Sequence, residues 1–256
     1  MDLERIKAEP VAIRKARRLR AQRERVTARA LFAHYNLLGP ALESAWLAGG
    51  DLALDLTFNS FQSPLNSLIL DNNAVTAGTL GDFQMEQLAE KSLRLDHRTK
   101  QNQQLIIRQM QDFLSTNAQK SAFLATQTDR KNAARIIERG LKRGSSNENI
   151  ARSLRRKFGG SLGRARSATI ARTEVGIAGS RAEFEGAKNQ KAKKKEWFAI
   201  RDNNLRDHHA DVDGQQIGLR ANFRPLGEKM KHPHDTSQGA SAANIVNCRC
   251  SLGYFK

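Results

Sequence analysis

From Ile13 to about Leu38 apolar residues return at helical spacing, at Ala12, Ala16, Leu19, Val26, Ala30 and Ala33, while Arg or Lys fills most positions between them. Such a stripe predicts a basic helix with one narrow docking face, interrupted at Arg23. Gly39-Pro40 predicts the end of that helix, because proline lacks the N–H that a helix interior uses. A short helical piece over 42–47 follows, and Gly49-Gly50 closes it. Leu52, Leu54, Leu56 and Phe58 then alternate with other residues at period two, the one clean strand signal in the first half. Between Asn59 and Gly81 the chain is rich in Asn, Ser, Thr and Gly, so a linker over 61–81 is expected, with the first domain boundary inside it.

The next hundred residues read as helices: Phe83 to Leu95, Gln103 to Phe123, and Arg130 to Lys142 with Gly144 as its stop. Ser145-Ser146-Asn147-Glu148 matches a capping box, in which hydroxyl and carboxylate each satisfy an orphan backbone N–H. A short helix with Ile150, Leu154 and Phe158 on one face should follow, ended by Gly159-Gly160, and then a longer one from about Leu162 to Ala187. On that longer helix Ile170, Ile177 and Phe184 share a face, and Glu174 lies on or beside it. A carboxylate on an apolar stripe is costly unless paired, so Glu174 should meet a basic group from another segment, a docking role before a catalytic one. Lys188 to Lys195 carries five lysines without apolar period and reads as a solvated connector. The expected fold class is therefore α+β: mostly helical N-terminal and central regions and a small, irregular strand-and-loop C-terminal module. Its divisions are 1–60 (basic helical region with a strand), 61–81 (linker), 82–194 (helical) and 195–256 (C-terminal module).

Composition agrees with helices. Of the 256 residues 39% are hydrophobic but only 6% aromatic, so the core must rest on Leu, Ile, Ala and a few Phe. Charge adds a partner. Lys and Arg number 43 against 26 Asp and Glu, a formal +17, and such a field attracts polyanions, nucleic acid first among them. The candidate contacts for DNA or a partner are Arg14, Lys15, Arg17, Arg18, Arg20, Arg23 and Arg25 on the first helix and Lys193, Lys194 and Lys195 on the connector. The plainer alternative is a solvated helix docked on its own domain. Residues 1–5 are followed by no apolar stretch, and no run of about eighteen apolar residues occurs, so neither export nor a membrane span is expected.

The candidate chemistry gathers after Lys195. Trp197 and Phe198 should anchor a strand, Asp202 and Arg206 can pair, and Asp213-Gly214 is a hairpin-turn dipeptide. The two cysteines, Cys248 and Cys250, stand one residue apart, too close for an unstrained disulfide, and their scarcity points to a cytosolic origin. With two histidines, His209 and His234 before His208 and His232, they can complete a tetrahedral zinc site. Otherwise both lie in a buried C-terminal strand.

Ala171-Arg172-Thr173-Glu174, Trp197, Asp202, Arg206, His209, Asp213-Gly214, Pro233, Asp235 and Asn247-Cys248-Arg249-Cys250, in that order, resemble the core of the Mu protein F-like head-morphogenesis proteins of tailed bacteriophages, over roughly Ser145 to Cys250. The resemblance implies a minor head protein in few copies, present in the virion at the head interior or portal region and made in the host cytoplasm during assembly. Its implied partners are the portal protein, the capsid interior and double-stranded DNA bound without regard to sequence, with a role in packaging or ejection. Two positions depart from the family pattern: Asn204 stands where a second Arg is usual, and Pro233-His234-Asp235-Thr236 replaces Pro-Gly-Asp-Pro. On this reading Arg172, Glu174, Trp197, Asp202, Arg206, His209, Asp213, Gly214, Asp235, Asn247 and Arg249 form a structural motif that the cysteines close, with no catalytic residue. A metal-assisted hydrolase or toxin-like transferase using His209, Cys248 and Cys250 is the rival, since the family's domain also occurs fused to toxin-like domains. Against it, the sequence has no His-Glu-x-x-His and no phosphate-binding glycine loop. A basic DNA-binding regulator is the third reading, and no helix-turn-helix or zinc-finger spacing supports it.

Overall fold

The computed structural model describes residues 10–89 and 98–256; residues 1–5 and the end of the helix expected over Phe83 to Leu95 lie outside the described residues. Four helices carry most of the chain: α1 (Val11–Leu88), α2 (Arg98–Lys142), α3 (Asn147–Phe158) and α4 (Ser161–Asn189). After them come β1 (Lys194–Phe198), the one-turn α5 (Asp207–Ala210), β2 (Gln216–Gly218), a 3-10 turn at Pro225–Gly227, the one-turn α6 (Ala242–Ile245) and β3 (Ser251–Phe255). The strands form one antiparallel sheet in the order β2-β1-β3, with Lys195 opposite Ile217 and Tyr254, and Trp197 opposite Leu252. The fold is α+β, as the sequence leads one to expect. No helix among the described residues is long and apolar enough to cross a membrane.

The chain gathers into two units: Met1–Glu24 with Asn73–Asp112 and Arg172–Lys256, and Arg25–Asn72 with Phe113–Ala171. The second unit is all helix. Its core joins Leu31, Tyr35, Leu42, Leu65, Ile69, Leu154 and Phe158, each no more than 2% exposed. A buried polar pin crosses that core: Tyr35 donates to Asp129 Oδ2 at 2.6 Å, and Arg166 Nε donates to Asp129 Oδ1 at 2.8 Å. The first unit holds the sheet and the loops around it.

Several expectations are corrected by the first helix. Leu52 to Phe58 is helical, and so is the segment 61–81. Leu54 and Phe58 are buried while Leu52 and Leu56 are exposed, so Leu54 and Phe58 are the i and i+4 positions of one helical face. Over 61–81 the buried side chains larger than glycine are Leu65, Ile69, Asn73, Thr76, Ala77 and Leu80, a helical period that becomes visible once Asn73 and Thr76 are admitted to the face. Gly39-Pro40 does not end the helix either: Pro40 is exposed, and a Cβ on Gly39 would lie 2.8 Å from the Arg155 carbonyl, so this glycine serves the close approach of α3. The break comes at Gly49-Gly50, where Gly50 takes φ 57 and ψ −136, a conformation that side chains oppose.

The docking stripe also shifts. Its buried members are Ile13, Ala16, Arg20, Thr27, Leu31, His34, Tyr35 and Leu38, whereas Val26 and Ala33 are exposed. The segments expected over 103–123 and 130–142 are one continuous helix, α2, which Gly144 ends with φ 65. The cap of α3 is Ser146, one residue later than the capping box suggests, and its side chain accepts from the Asn149 N–H at 3.3 Å. Ile150, Leu154 and Phe158 are buried on one face of α3, and so are Ile170, Ile177 and Phe184 on α4.

Candidate functional site

The C-terminal module is built around Trp197. Strand β1 carries it inward to 0% exposure, where its ring meets His209 and Phe223 edge-on, with centroids 5.7 and 5.1 Å away. Lys195, one pleat earlier, is also fully buried. Its ammonium donates to the carbonyls of Ala221 and Lys231, both at 2.7 Å, and lies 5.2 and 5.3 Å from the rings of Phe184 and Phe223. Burial pushes its pKa down to about 7, with Asp235 acting in the opposite sense.

His209 sits on α5, 2% exposed. Its Nε2 lies 2.9 Å from Asn244 Oδ1, while the Asn244 amide nitrogen donates to Glu228 Oε2 at 2.6 Å and to the Pro225 carbonyl at 3.3 Å. Two acceptors on the nitrogen end of Asn244 leave its oxygen for His209, so Nε2 carries the proton and Nδ1 presents its lone pair. That lone pair faces both cysteines: Nδ1 is 3.7 Å from Cys248 Sγ and 3.6 Å from Cys250 Sγ. The three atoms all lie within 4.8 Å of one another, and all three residues are buried.

The Asn-Cys-Arg-Cys run explains itself position by position. Asn247, at φ 58, donates its N–H to Thr173 Oγ1 at 3.2 Å and accepts from Arg172 on α4, also at 3.2 Å. Cys248 and Cys250 then point inward, and Arg249 between them points out to both carboxylate oxygens of Asp202. A cavity of about 20 Å³, room for roughly one water-sized guest, is lined by His209, both cysteines, Arg206, Asn247 and Arg249. The hydrogen bond from Cys250 holds the Cys248 thiol well below its ordinary range against burial, helped by His234 and His209; Cys250, as donor to Cys248 and buried, is pushed well above its own.

His234 acts on Cys248 but stands outside the three-atom group. Its ring is packed on Gly176 of α4, where a Cβ would come within 2.3 Å of it. Its Nδ1 is buried and, among the described residues, has no hydrogen-bond partner. Asp235 accepts from the Lys231 and Ser237 N–H groups at 2.8 and 2.9 Å; burial would raise its carboxyl, but His232 and these donors hold it at about 2. Asp213 accepts from the Ala199 N–H and from Arg201, each at 2.9 Å. Gly214, at φ 79, donates to the Trp197 carbonyl at 2.7 Å, so Asp213-Gly214 turns the chain into β2 at the end of a long connection.

One expected pairing, Asp202 with Arg206, is replaced. Asp202 pairs with Arg249, and Arg206 instead donates to the Val246 carbonyl, because both arms close the cysteine segment. Glu174, 3% exposed, accepts from the Asn73 amide at 3.0 Å. The ten basic candidates divide. Arg20 is buried against Glu183, Lys195 is buried, Arg17 donates to Ser251 Oγ at 3.2 Å and Arg23 to Thr76 Oγ1 at 3.4 Å. Arg14, Lys15, Arg18, Arg25, Lys193 and Lys194 are exposed. A count of positive residues cannot separate these groups; the buried stripe through Ile13, Ala16 and Arg20 could have.

Sequence reasoning missed a second basic surface. On the helical unit, two adjoining depressions of about 650 and 190 Å³ share Ile136, Arg139 and Lys157, with Arg135, Arg143 and Arg156 also among their linings. All five of those basic side chains are exposed. Asn244, Glu183 and Glu228, which the site depends on, carried no sequence signal.

The family model described as phage Mu protein F like protein matches residues 131–253. The chain is 34% identical over 122 residues to a Bacillus subtilis (strain 168) protein called "Uncharacterized protein YqbB", covering 46% of this chain and 39% of that one. Over 125 residues it is 31% identical to a protein of Enterococcus faecalis (strain ATCC 700802 / V583) called "NAD(+)--arginine ADP-ribosyltransferase EFV", covering 47% of this chain and 25% of that one. The chain thus spans well under half the length of either relative. No solved structure matches it.

Proposed function

We propose that this chain, whose residues 131–253 belong to the phage Mu protein F-like family, is a minor head protein of a tailed phage that works near the portal and touches the packaged DNA. The observation that carries the reading is the use the fold makes of the family's residues. Arg172, Thr173, Asp202, Arg206, His209, Asn247 and Arg249 bind one another or the cysteine segment, and they do so as structure: each hydrogen bond ties one piece of the module to another. Little room is left for a substrate beside them, with about 20 Å³ at the His209 and cysteine cluster.

The DNA contact rests on charge. Arg135, Arg139, Arg143, Arg156 and Lys157 line one solvent-open surface, and Arg14, Arg18, Lys193 and Lys194 are exposed on the other unit. Cations so displayed bind phosphate without reading sequence. Deleting the reading frame from the phage should yield fewer DNA-filled heads by electron microscopy; a normal yield of filled, infectious heads contradicts the proposal.

The Enterococcus relative's name favours a second reading, arginine ADP-ribosyltransfer. Its similarity to this chain covers a quarter of that protein. Release of nicotinamide from NAD in the presence of an arginine acceptor would promote this reading, and none is expected.

A further inference from the structure

We propose that His209, Cys248 and Cys250, with His234 as fourth ligand, hold one zinc ion that closes the C-terminal module. In a tetrahedral zinc site, with Zn–N of about 2.0–2.1 Å and Zn–S of about 2.3 Å, the N···S edge is about 3.6 Å. His209 Nδ1 stands 3.6 and 3.7 Å from the two sulfurs. A thiol hydrogen bond accounts for one such contact, but Nδ1 has a single lone pair and two sulfurs converge on it. An ion among the three atoms satisfies them all.

The surroundings have the form that a metal ligand needs. A ligating imidazole commonly donates its other N–H to an outer partner, and His209 does so to Asn244, itself fixed by Glu228 and Pro225. His234 brings a buried Nδ1 with no partner among the described residues, on a ring backed by Gly176. Turning that nitrogen to the ion completes the tetrahedron. Two thiolates and two neutral imidazoles cancel the charge of Zn²⁺, so the buried site is neutral; the two thiol protons pass to solvent as the metal enters. Soft sulfur and imidazole nitrogen select zinc over magnesium or calcium. The ion joins three stretches, at 209, 234 and 248–250, in a module of loops and a three-stranded sheet. The small cavity makes it a closed, structural site.

The test uses the full chain, purified without chelator. Elemental analysis should find one zinc per chain, chelator should lower the melting temperature, and added zinc should restore it. Cobalt(II) loaded into the stripped chain should give tetrahedral visible bands and a thiolate charge-transfer band that weakens in both Cys248→Ser and Cys250→Ser. His234→Ala should bind cobalt at least about tenfold more weakly. A metal-free chain whose melting ignores both chelator and zinc overturns the proposal, and this readout needs no variant to fold. Stoichiometric iron or copper overturns the choice of ion, and unchanged cobalt affinity in His234→Ala overturns the fourth ligand.

Discussion

Arg20 and Glu183 form a two-point ion pair inside the protein: Nη2 lies 2.6 Å from Oε2, Nε lies 3.3 Å from Oε1, and neither side chain is more than 8% exposed. Arg20 also donates to the Cys250 carbonyl at 3.2 Å, so the first helix, α4 and the cysteine segment meet at one guanidinium. Replacing Arg20 with Met strands a buried carboxylate and should cost about 3–5 kcal/mol in urea unfolding. Changing both residues to Met should recover most of that loss. Equal losses in the single and double variants would contradict the pairing.

Asn244 holds His209 in the tautomer that presents Nδ1 to the cysteines. Asn244→Ala should weaken zinc binding about 10- to 100-fold without abolishing it, as outer-shell changes do. Competition with a chromophoric chelator measures the change, and an unaltered affinity would remove Asn244 from the site.

Lys195 makes stability depend on alkali. Its pKa in the folded chain is about 7, below the ordinary 10.5, so the burial cost of its charge is full below pH 7 and is relieved as pH climbs toward 10.5. Asp235 and Lys231 face it with opposite effects, and the rings of Phe184 and Phe223 flank it. Stability should rise across this window with a slope of up to about 1.4 kcal/mol per pH unit from this group. The difference between the native chain and Lys195→Met, taken from urea unfolding at several pH values, should carry that slope; a flat difference would refute it.

The exposed cations should set the salt dependence of DNA binding. Changing Arg135, Arg139, Arg143 and Arg156 to Gln should lower the slope of log K against log salt by about 0.9 for each phosphate that is no longer neutralised. Arg20→Gln should alter stability while leaving the slope as it was, because Arg20 is buried. Fluorescence titrations with duplexes of unrelated sequence check both.

How much of the fold is legible in the sequence depends on whether the chain solves a problem with apolar or polar residues. Helix α3 is legible because Ile150, Leu154 and Phe158 mark its face and glycines follow it. The C-terminal motif is legible as an ordered set of residue types, and the structure brings His209, Cys248 and Cys250 of that set together. The stripe of α1 is not, because Arg20, Thr27, His34, Asn73 and Thr76 occupy buried positions that a hydrophobic count leaves empty. Asn73 and Thr76 are also among the polar residues that make 61–81 read as a linker. Partners such as Glu183 for Arg20 lie 163 residues away, and nothing in the local pattern announces them.

The most direct measurement is quantitative mass spectrometry of purified virions and of DNA-free procapsids from the phage that encodes this chain, scaled to the portal ring. A low, fixed ratio to portal in both particles is the predicted result. Absence from both particles would contradict assignment as a minor head protein.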